Sequence, residues 1–394
     1  MSLYVKTGNK VLSILTGHGH FAYFVGGFVR DFLLGLPVND IDITTDASPK
    51  LVKSYFKKTR DTGIKYGTIT VFEDDFAFEV TTFRSEGVYS NHRHPKQITF
   101  SKTIEEDLKR RDFTINALAM DQEKQIIDLF DGKRDLKLKL IRAIGNPDTR
   151  FYEDALRMLR AFRFISKLDF DIEEKTFQSI EKNYSLLSKI SNERILQEFR
   201  KIIEYPFALK ALQWMNKSLV KENFPDLLQG INFLSKQTKI DLNILEFFAL
   251  CFYLNGMEIS DKWRFSNKDK AIINRMIELV EVTKNDSFNE LIVYSNGLDL
   301  CLMANKVNAS LNPQNNQEAF ILSLYNKMPI HQTCDLAFKG QDILELTSLK
   351  DARIIGDIID ELTYKVITLE IPNDYDTLKE LALHFIQMQK DRTE

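Results

Sequence analysis

Residues 24–46 read FVGGFVRDFLLGLPVNDIDITTD, and three parts of that stretch could act on one ligand. Asp40 and Asp42 are two apart, so on a strand their side chains project to the same side. Two hard carboxylates so placed suit Mg²⁺, which prefers oxygen donors and keeps positions for substrate phosphates. Ions held this way can activate an attacking hydroxyl and stabilise a departing phosphate in line. A lone Asp-x-Asp is more often a solvated strand face. Here Gly26, Gly27 and Arg30 stand just upstream, at a strand-to-helix junction. Bare glycines permit close approach, and backbone N–H groups at such a junction favour phosphate. The combination fits a metal-bound nucleotide. Neither the Gly-x-x-x-x-Gly-Lys-Ser/Thr loop nor the Gly-x-Gly-x-x-Gly fingerprint occurs, so two common phosphate-binding architectures are set aside.

Further candidates lie downstream. Glu79, in FAFEVTTF, offers a third carboxylate, although a structural acid on an exposed strand face is an equal alternative. Arg110, Arg111 and Asp112 fall together in KRRDFTINALAM, which reads as the middle of a helix. In RFYEDALRMLRAFRF (150–164), Asp154 and Arg157 are three apart and on a helix share a face. A plain salt bridge would account for them. Chemically, Asp offers acceptors and Arg donors, complementing the amine and ring-nitrogen edge of cytosine and adenine and mismatching uracil and guanine. Arg160 continues that side of the helix, and Arg163 lies about half a turn round, which leaves a phosphate contact or a surface charge open for it.

The elements that must position these residues fall into two regimes. Up to about residue 145, β-rich pieces (21–25, 41–45) alternate with short helical ones, and residues 67–83 read as a hairpin turning on Glu73-Asp74-Asp75. Thr103 and Glu106 form a capping-box pattern opening a helix over 103–120, and QIIDLFDGKRDL supplies a strand and an Asp-Gly turn. From Asn146-Pro147-Asp148, a strong helix start, the text is almost wholly helical. The fold class is thus an α+β head followed by all-α segments. The net charge of −3 argues against a uniformly basic nucleic-acid binder, but residues 129–167 hold ten Lys/Arg against five Asp/Glu. Lys53, Lys57, Lys58 and Arg60 form a second basic cluster. Three scattered cysteines (Cys251, Cys301, Cys334) read as buried thiols of a reducing compartment. No secretory signal is visible, and the apolar run at 244–254 is too short to span a bilayer, so a cytoplasmic protein without a membrane partner is expected.

Gly26-Gly27-Phe28-Val29-Arg30-Asp31, Asp40-Ile41-Asp42, RRDFTINALAM and YEDALRMLRAFRF together resemble, in order, the motifs of the bacterial class II tRNA nucleotidyltransferases, CCA-adding enzymes of the polymerase-β-like superfamily. The motif-bearing part spans about residues 20–205. The resemblance implies a nucleotidyltransferase head (1–145), a helical neck that binds base and RNA (146–210), a helical body (211–300) and a tRNA-binding tail (301–394). It implies CTP and ATP as substrates and tRNA as partner. Asp40 and Asp42 would carry the metal ions, Gly27 and Arg30 the triphosphate, and Asp112 the ribose. Arg111, Asp154, Arg157, Arg160 and Arg163 would form the nucleotide pocket, with Asp154 and Arg157 reading the base. ISNERILQEF, with Glu193 and Arg194, is similar to the last motif, a helix supporting the base-reading one.

Bacterial poly(A) polymerase shares the head motifs, but the arginine-rich stretch typical of it after the first helices and a basic C-terminal extension are missing. CC-adding relatives have a shortened segment after the hairpin, whereas RSEGVYSNHRHPKQITF (84–100) reads as full length, which favours complete CCA addition. His92 and His94 within it lack a third ligand for zinc, so a flexible-loop role fits better. A helical RNA-binding scaffold is the reading from another class, and the intact Asp40 and Asp42 argue against it. The sequence leaves a homodimer open.

Overall fold

The structure, a computed structural model, describes residues 3–38, 40–86, 89–90, 94–95, 98–256, 259–347 and 352–391. They form two compact units, Met1–Ile240 with Lys262–Arg264, and Asp241–Asp261 with Phe265–Glu394.

The first unit opens with α1 (Leu3–Gly17), β1 (Ala22–Val25), α2 (Gly27–Leu33), β2 (Asp42–Thr45) and α3 (Pro49–Tyr55), followed by β3 (Thr59–Gly63), β4 (Thr68–Glu73) and β5 (Phe76–Thr82). Two short pairs follow, β6 (Arg84–Glu86) with β9 (Ile98–Phe100) and, between them, β7 (Tyr89–Ser90) with β8 (His94–Pro95). Then come α4 (Ile104–Lys109), β10 (Leu118–Met120), β11 (Ile126–Asp128), α5 (Gly132–Leu138) and β12 (Leu140–Ile141). Seven strands make one sheet in the order β11-β10-β1-β2-β5-β4-β3. The expected hairpin is β4–β5, and Asp74 and Asp75 turn it with φ of 45° and 66°, the positive angles that a two-residue turn of matching twist requires. The parallel pairing of β2 with β5 sets Asp42 beside Glu79.

Residues 103–120 depart from the expected single helix. Helix α4 ends at Lys109, a short 3₁₀ turn covers Thr114–Asn116, and Leu118–Met120 become β10, buried between β1 and β11. An apolar run fits a buried strand as well as a buried helix, and here strand pairing on both sides satisfies the backbone. Arg110 to Asp112 therefore sit in the connection after the helix. Thr103 makes no side-chain capping bond; its N–H donates to Ser101 Oγ at 3.0 Å. The Asp-Gly pair opens α5, with Asp131 at φ 59°, and is not a hairpin turn.

Asn146 caps α6 (Pro147–Glu153) as expected, its side chain accepting from Asp148 N at 2.9 Å. The reading of 150–164 as one helix is corrected. The chain breaks at Asp154 (φ −137°, ψ 102°) before α7 (Leu156–Leu168). Asp154 Oδ1 accepts the Leu156 N–H at 3.1 Å, a local bond that competes with continuing the helix. Strand β13 (Asp171–Ile172) pairs with β12, and α8 (Glu174–Asn183), α9 (Asn192–Glu204), α10 (Ala208–Lys217) and α11 (Pro225–Leu234) complete the unit.

The second unit is helical. Its first helix, α12 (Ile244–Leu254), is the apolar run seen in sequence; Asn243 and Glu246 form a capping box, and Phe247, Phe248 and Phe252 are fully buried. Cys251 and Cys301 are buried as expected, but Cys334 is exposed, which corrects the reading of all three as core thiols. No described helix is long and apolar enough to cross a membrane.

Candidate active site

A cavity of about 800 Å³ opens in the first unit. Eleven sequence-derived candidates line it: Gly26, Gly27, Arg30, Asp42, Glu79, Arg111, Asp112, Asp154, Arg157, Arg160 and Arg163. Asp40 is not among the lining residues. Strand β2 begins at Asp42, so Asp40 precedes the strand instead of alternating within it, with its side chain exposed.

The carboxylates stand at the sheet end of the cavity. The low-dielectric wall raises the Asp42 carboxyl above the usual range, although its side chain opens to the cavity; Arg111 opposes this, and Glu79 and Asp40 push it further up. A carboxyl raised by burial and by neighbouring carboxylates is the electrostatic setting a divalent cation relieves. The donor set therefore fits a hard metal ion. Among the described residues no cluster of three or more His, Cys, Asp or Glu is pre-formed, so water and substrate oxygens would supply the other ligands.

Gly26 holds φ 67° and ψ −127° at the entry to α2, where no side chain caps the first turn. A Cβ there would stand 2.7 Å from Arg111 Nη1, so a larger residue would be strained by the backbone angle and would displace the flexible end of the arginine. A Cβ on Gly27 would meet only Arg30 Nη2, at an ordinary 3.6 Å. Arg111 is tied at one nitrogen to buried Asp107 (3.2 Å), while its buried Nε has no partner among the described residues. Arg111 lines the cavity, and a guanidinium there suits an anion.

A buried network links the two sides of the cavity. Arg160 Nε donates to Asp112 Oδ2 at 2.7 Å, with a second contact from Nη2. Burial alone would raise the Asp112 carboxyl, but Arg160, Asn116 and the Phe113 N–H outweigh it and hold it well below the usual range. Asn116 bridges: its Nδ2 donates to Asp112 Oδ1 (3.0 Å) and its Oδ1 accepts from Arg30 Nη1 (2.7 Å). Arg30 Nε also donates to Asp31, which takes a bond from Lys167 Nζ at 2.9 Å.

Asp154 and Arg157 do not pair with each other. Arg194 on α9 donates to Asp154 at 3.0 and 3.4 Å. Arg157 donates to Glu153 (2.7 Å) and to the backbone carbonyls of Arg150 (3.0 Å) and Arg110 (2.9 Å). Their shared helical face is corrected by the break at Asp154, yet both groups reach the same cavity. Arg163 is buried and donates to Glu198 at 3.1 Å; burial and the neighbouring Arg160 lower its affinity for a proton.

Sequence reasoning missed Asn116, Phe164 and Lys167, and did not place Thr62, Tyr66 and Arg84 of the hairpin side in the cavity. Asn116 and Phe164 lie inside the motifs already quoted, but their roles depend on partners 86 and 134 residues away in sequence for Asn116 and Phe164 respectively, counted to Arg30. The His92 and His94 reading falls on His92, which lies outside the described residues, and on the side chain of His94, of which only the backbone is described.

Three family models match the chain: "Poly A polymerase head domain" over 22–142, "Probable RNA and SrmB-binding site of polymerase A" over 169–229, and "tRNA nucleotidyltransferase domain 2" over 241–382. Among curated proteins, the CCA-adding enzyme of Ligilactobacillus salivarius is 37% identical over 392 residues, covering 97% of this chain and 97% of the relative. That of Pediococcus pentosaceus is 39% identical over 382 residues, covering 94% and 95%. Among solved structures, the Bacillus stearothermophilus CCA-adding enzyme in complex with CTP superposes with a TM-score of 0.86 at 31% identity, covering 100% of this chain and 99% of that one. The Thermotoga maritima CCA-adding enzyme complexed with tRNA shares the fold, with a TM-score of 0.68 at 21% identity, covering 98% and 96%.

Proposed function

This chain belongs to the CCA-adding enzymes, the tRNA nucleotidyltransferases, and from that premise we propose that it builds and repairs the 3′-terminal CCA of tRNA. It transfers CMP, CMP and AMP in turn from CTP and ATP, releases pyrophosphate, and uses no nucleic-acid template. The observation that carries this is similarity to CCA-adding enzymes along nearly the whole chain, head and helical remainder alike. The head model named for poly(A) polymerase covers only the part the two activities share.

Nucleotidyltransferases of this family generally use divalent metal ions. We take the ion to be Mg²⁺; Asp42 in the cavity, with Asp40 just before the strand and Glu79 adjacent, would hold it, and it would supply charge neutralisation of the phosphates and a more acidic attacking 3′-hydroxyl. The chain's own groups do the rest. Gly26 and Gly27 let the triphosphate approach the start of α2, and Arg30 and Arg111 neutralise it. Asp112, kept ionised by Arg160, accepts from the ribose hydroxyl. Asp154 accepts from the exocyclic amine of cytosine or adenine and Arg157 donates to the neighbouring ring nitrogen, while Arg160 and Arg163 hold the positive field around the nucleotide. Uracil and guanine would leave Asp154 and Arg157 facing like partners, a mismatch that buried sites reject strongly.

In this reading residues 1–145 are the catalytic head, 146–210 the neck, 211–300 the body and 301–394 the tail, with neck and tail on the tRNA. The reaction runs in the cytoplasm. The test is pyrophosphate release with a tRNA that lacks its last three nucleotides. Release should require that RNA, stop after three equivalents, and need both CTP and ATP for completion. Release that continues with ATP alone on any RNA would favour poly(A) synthesis instead.

A further inference from the structure

Phe164 has no hydrogen-bonding group, yet three cations of the cavity converge on its ring. The guanidinium carbons of Arg163, Arg30 and Arg160 lie 4.8, 5.2 and 5.6 Å from the ring centroid. Each cation comes with its own carboxylate: Arg30 with Asp31, Arg160 with Asp112 and Arg163 with Glu198. The ring is almost fully buried, lines the cavity and is buttressed edge-on by Phe113 at 5.7 Å and 85°. Three like charges drawn together in a cavity repel one another. The carboxylates compensate them at the guanidinium edges, and an aromatic face is the one apolar surface that also attracts cations.

We propose that Phe164 is a positioning residue whose π-face gathers Arg30, Arg160 and Arg163 into a preset cationic wall for the polyphosphate of the incoming nucleotide. This rests on the nucleotide assignment above and adds a residue to it that touches neither base nor metal ion. A leucine at 164 would fill similar space without a quadrupole, leaving the three cations to spread apart. Nucleotide binding would then have to regather them.

The experiment replaces Phe164 by mono-, di- and trifluorinated phenylalanines in the full-length protein, with Phe164→Leu as the end point. Fluorine withdraws the negative face and largely keeps the shape. Dissociation constants for CTP and for inorganic triphosphate are measured by calorimetry, alongside KM, kcat and the melting temperature. The expected result is a graded weakening with each fluorine, reaching about tenfold at Phe164→Leu, as a few weak cation–π contacts would give. It should appear in the dissociation constant and KM more than in kcat, with the melting temperature level across the fluorinated series. Affinities that stay flat across the fluorinated series would overturn the proposal and make the ring plain packing. So would a melting temperature that falls in step with affinity. Because binding is read without turnover, a protein that binds triphosphate in this graded way but fails to extend tRNA would overturn the assigned reaction and leave the wall standing.

Discussion

Gly26 and Gly27 are neighbours in sequence, but replacing them by alanine should have opposite physical outcomes. At Gly26 the backbone holds φ 67° and ψ −127°, a region nearly closed to L-residues, and the new Cβ would stand 2.7 Å from Arg111 Nη1. The backbone conflict alone costs roughly 1–3 kcal/mol. For a unit of this size that is a fall in melting temperature of roughly 2–12 °C. Arg111 must also move, and it is the cation whose buried Nε has no partner among the described residues. Gly26→Ala should therefore lower the melting temperature and raise KM for CTP and ATP, roughly tenfold if one charge-assisted hydrogen bond of about 1.5 kcal/mol or more is lost. At Gly27 the new Cβ meets only Arg30 Nη2 at 3.6 Å, without a positive φ. Gly27→Ala should leave stability within about 0.5 kcal/mol of the parent, since the half-buried position offers neither strain nor clash. Any loss it shows must then come from the approach of the triphosphate. The assay is a thermal melt paired with steady-state incorporation of labelled CMP. A Gly26→Ala protein with parental stability and parental KM would refute the reasoning, because neither the angle nor the arginine would then constrain that position.

Other outcomes follow from the charges of the first unit. Asp42→Asn should abolish incorporation and keep tRNA binding. Because the native carboxyl is raised, its charged form opposes folding above the usual carboxylate range, so this variant should melt higher near neutral pH, with the gain vanishing on acidification below about pH 4. Mg²⁺ should raise the melting temperature of the parent and not of the variant; equal response in both would contradict a metal ion at Asp42. Asp112 has the opposite sign. Its carboxyl is depressed, so it stabilises the fold above the usual range and stops doing so as pH falls below about 4. Asp112→Asn should be less stable at neutral pH and show a shallower loss of stability in acid, and an unchanged acid slope would argue against the Arg160 pairing. The first unit carries 40 Lys/Arg and 32 Asp/Glu, the second 13 and 24. Salt dependence of tRNA affinity should therefore reside in the first unit, where each phosphate-contacting Lys or Arg removed reduces the slope by about one. A slope unaltered by such changes would place the phosphate contacts elsewhere.

Residues that signal through short spacing were legible without coordinates. Gly26, Gly27 and Arg30 belong to one turn of chain, and β1, α2 and β2 appear where that turn needs them. Asn146-Pro147 announced its helix because capping is a local bond. The failures share a cause as well. Leu118–Met120 carry no periodicity that separates strand from helix, and the partners that decide, β1 and β11, come from elsewhere in the chain. Asp154 and Arg157 look like a helical pair because spacing is all a sequence offers. Their actual partners are Arg194, 40 residues on, and backbone carbonyls as far back as Arg110, 47 residues away. A carboxylate that bonds its own backbone two residues later leaves the helical pattern of apolar residues on either side intact, so the break at Asp154 was invisible. Convergence of Arg30, Arg160 and Arg163 on Phe164 is likewise a property of α2 meeting α7, and not of either segment alone.

The central claim is that protein side chains, and no nucleic-acid template, choose C, C and then A. Its most direct measurement is a single-nucleotide-resolution gel of the tRNA 3′ end, starting from a tRNA that stops before the CCA, with each of the four nucleotides supplied alone and together. The parent should add two residues from CTP, accept ATP only after those two, ignore UTP and GTP, and stop at three. Asp154→Ala and Arg157→Ala should extend the RNA with bases the parent refuses. Long adenosine tracts, arrest after two cytidines, or unchanged base choice in both variants would contradict the account.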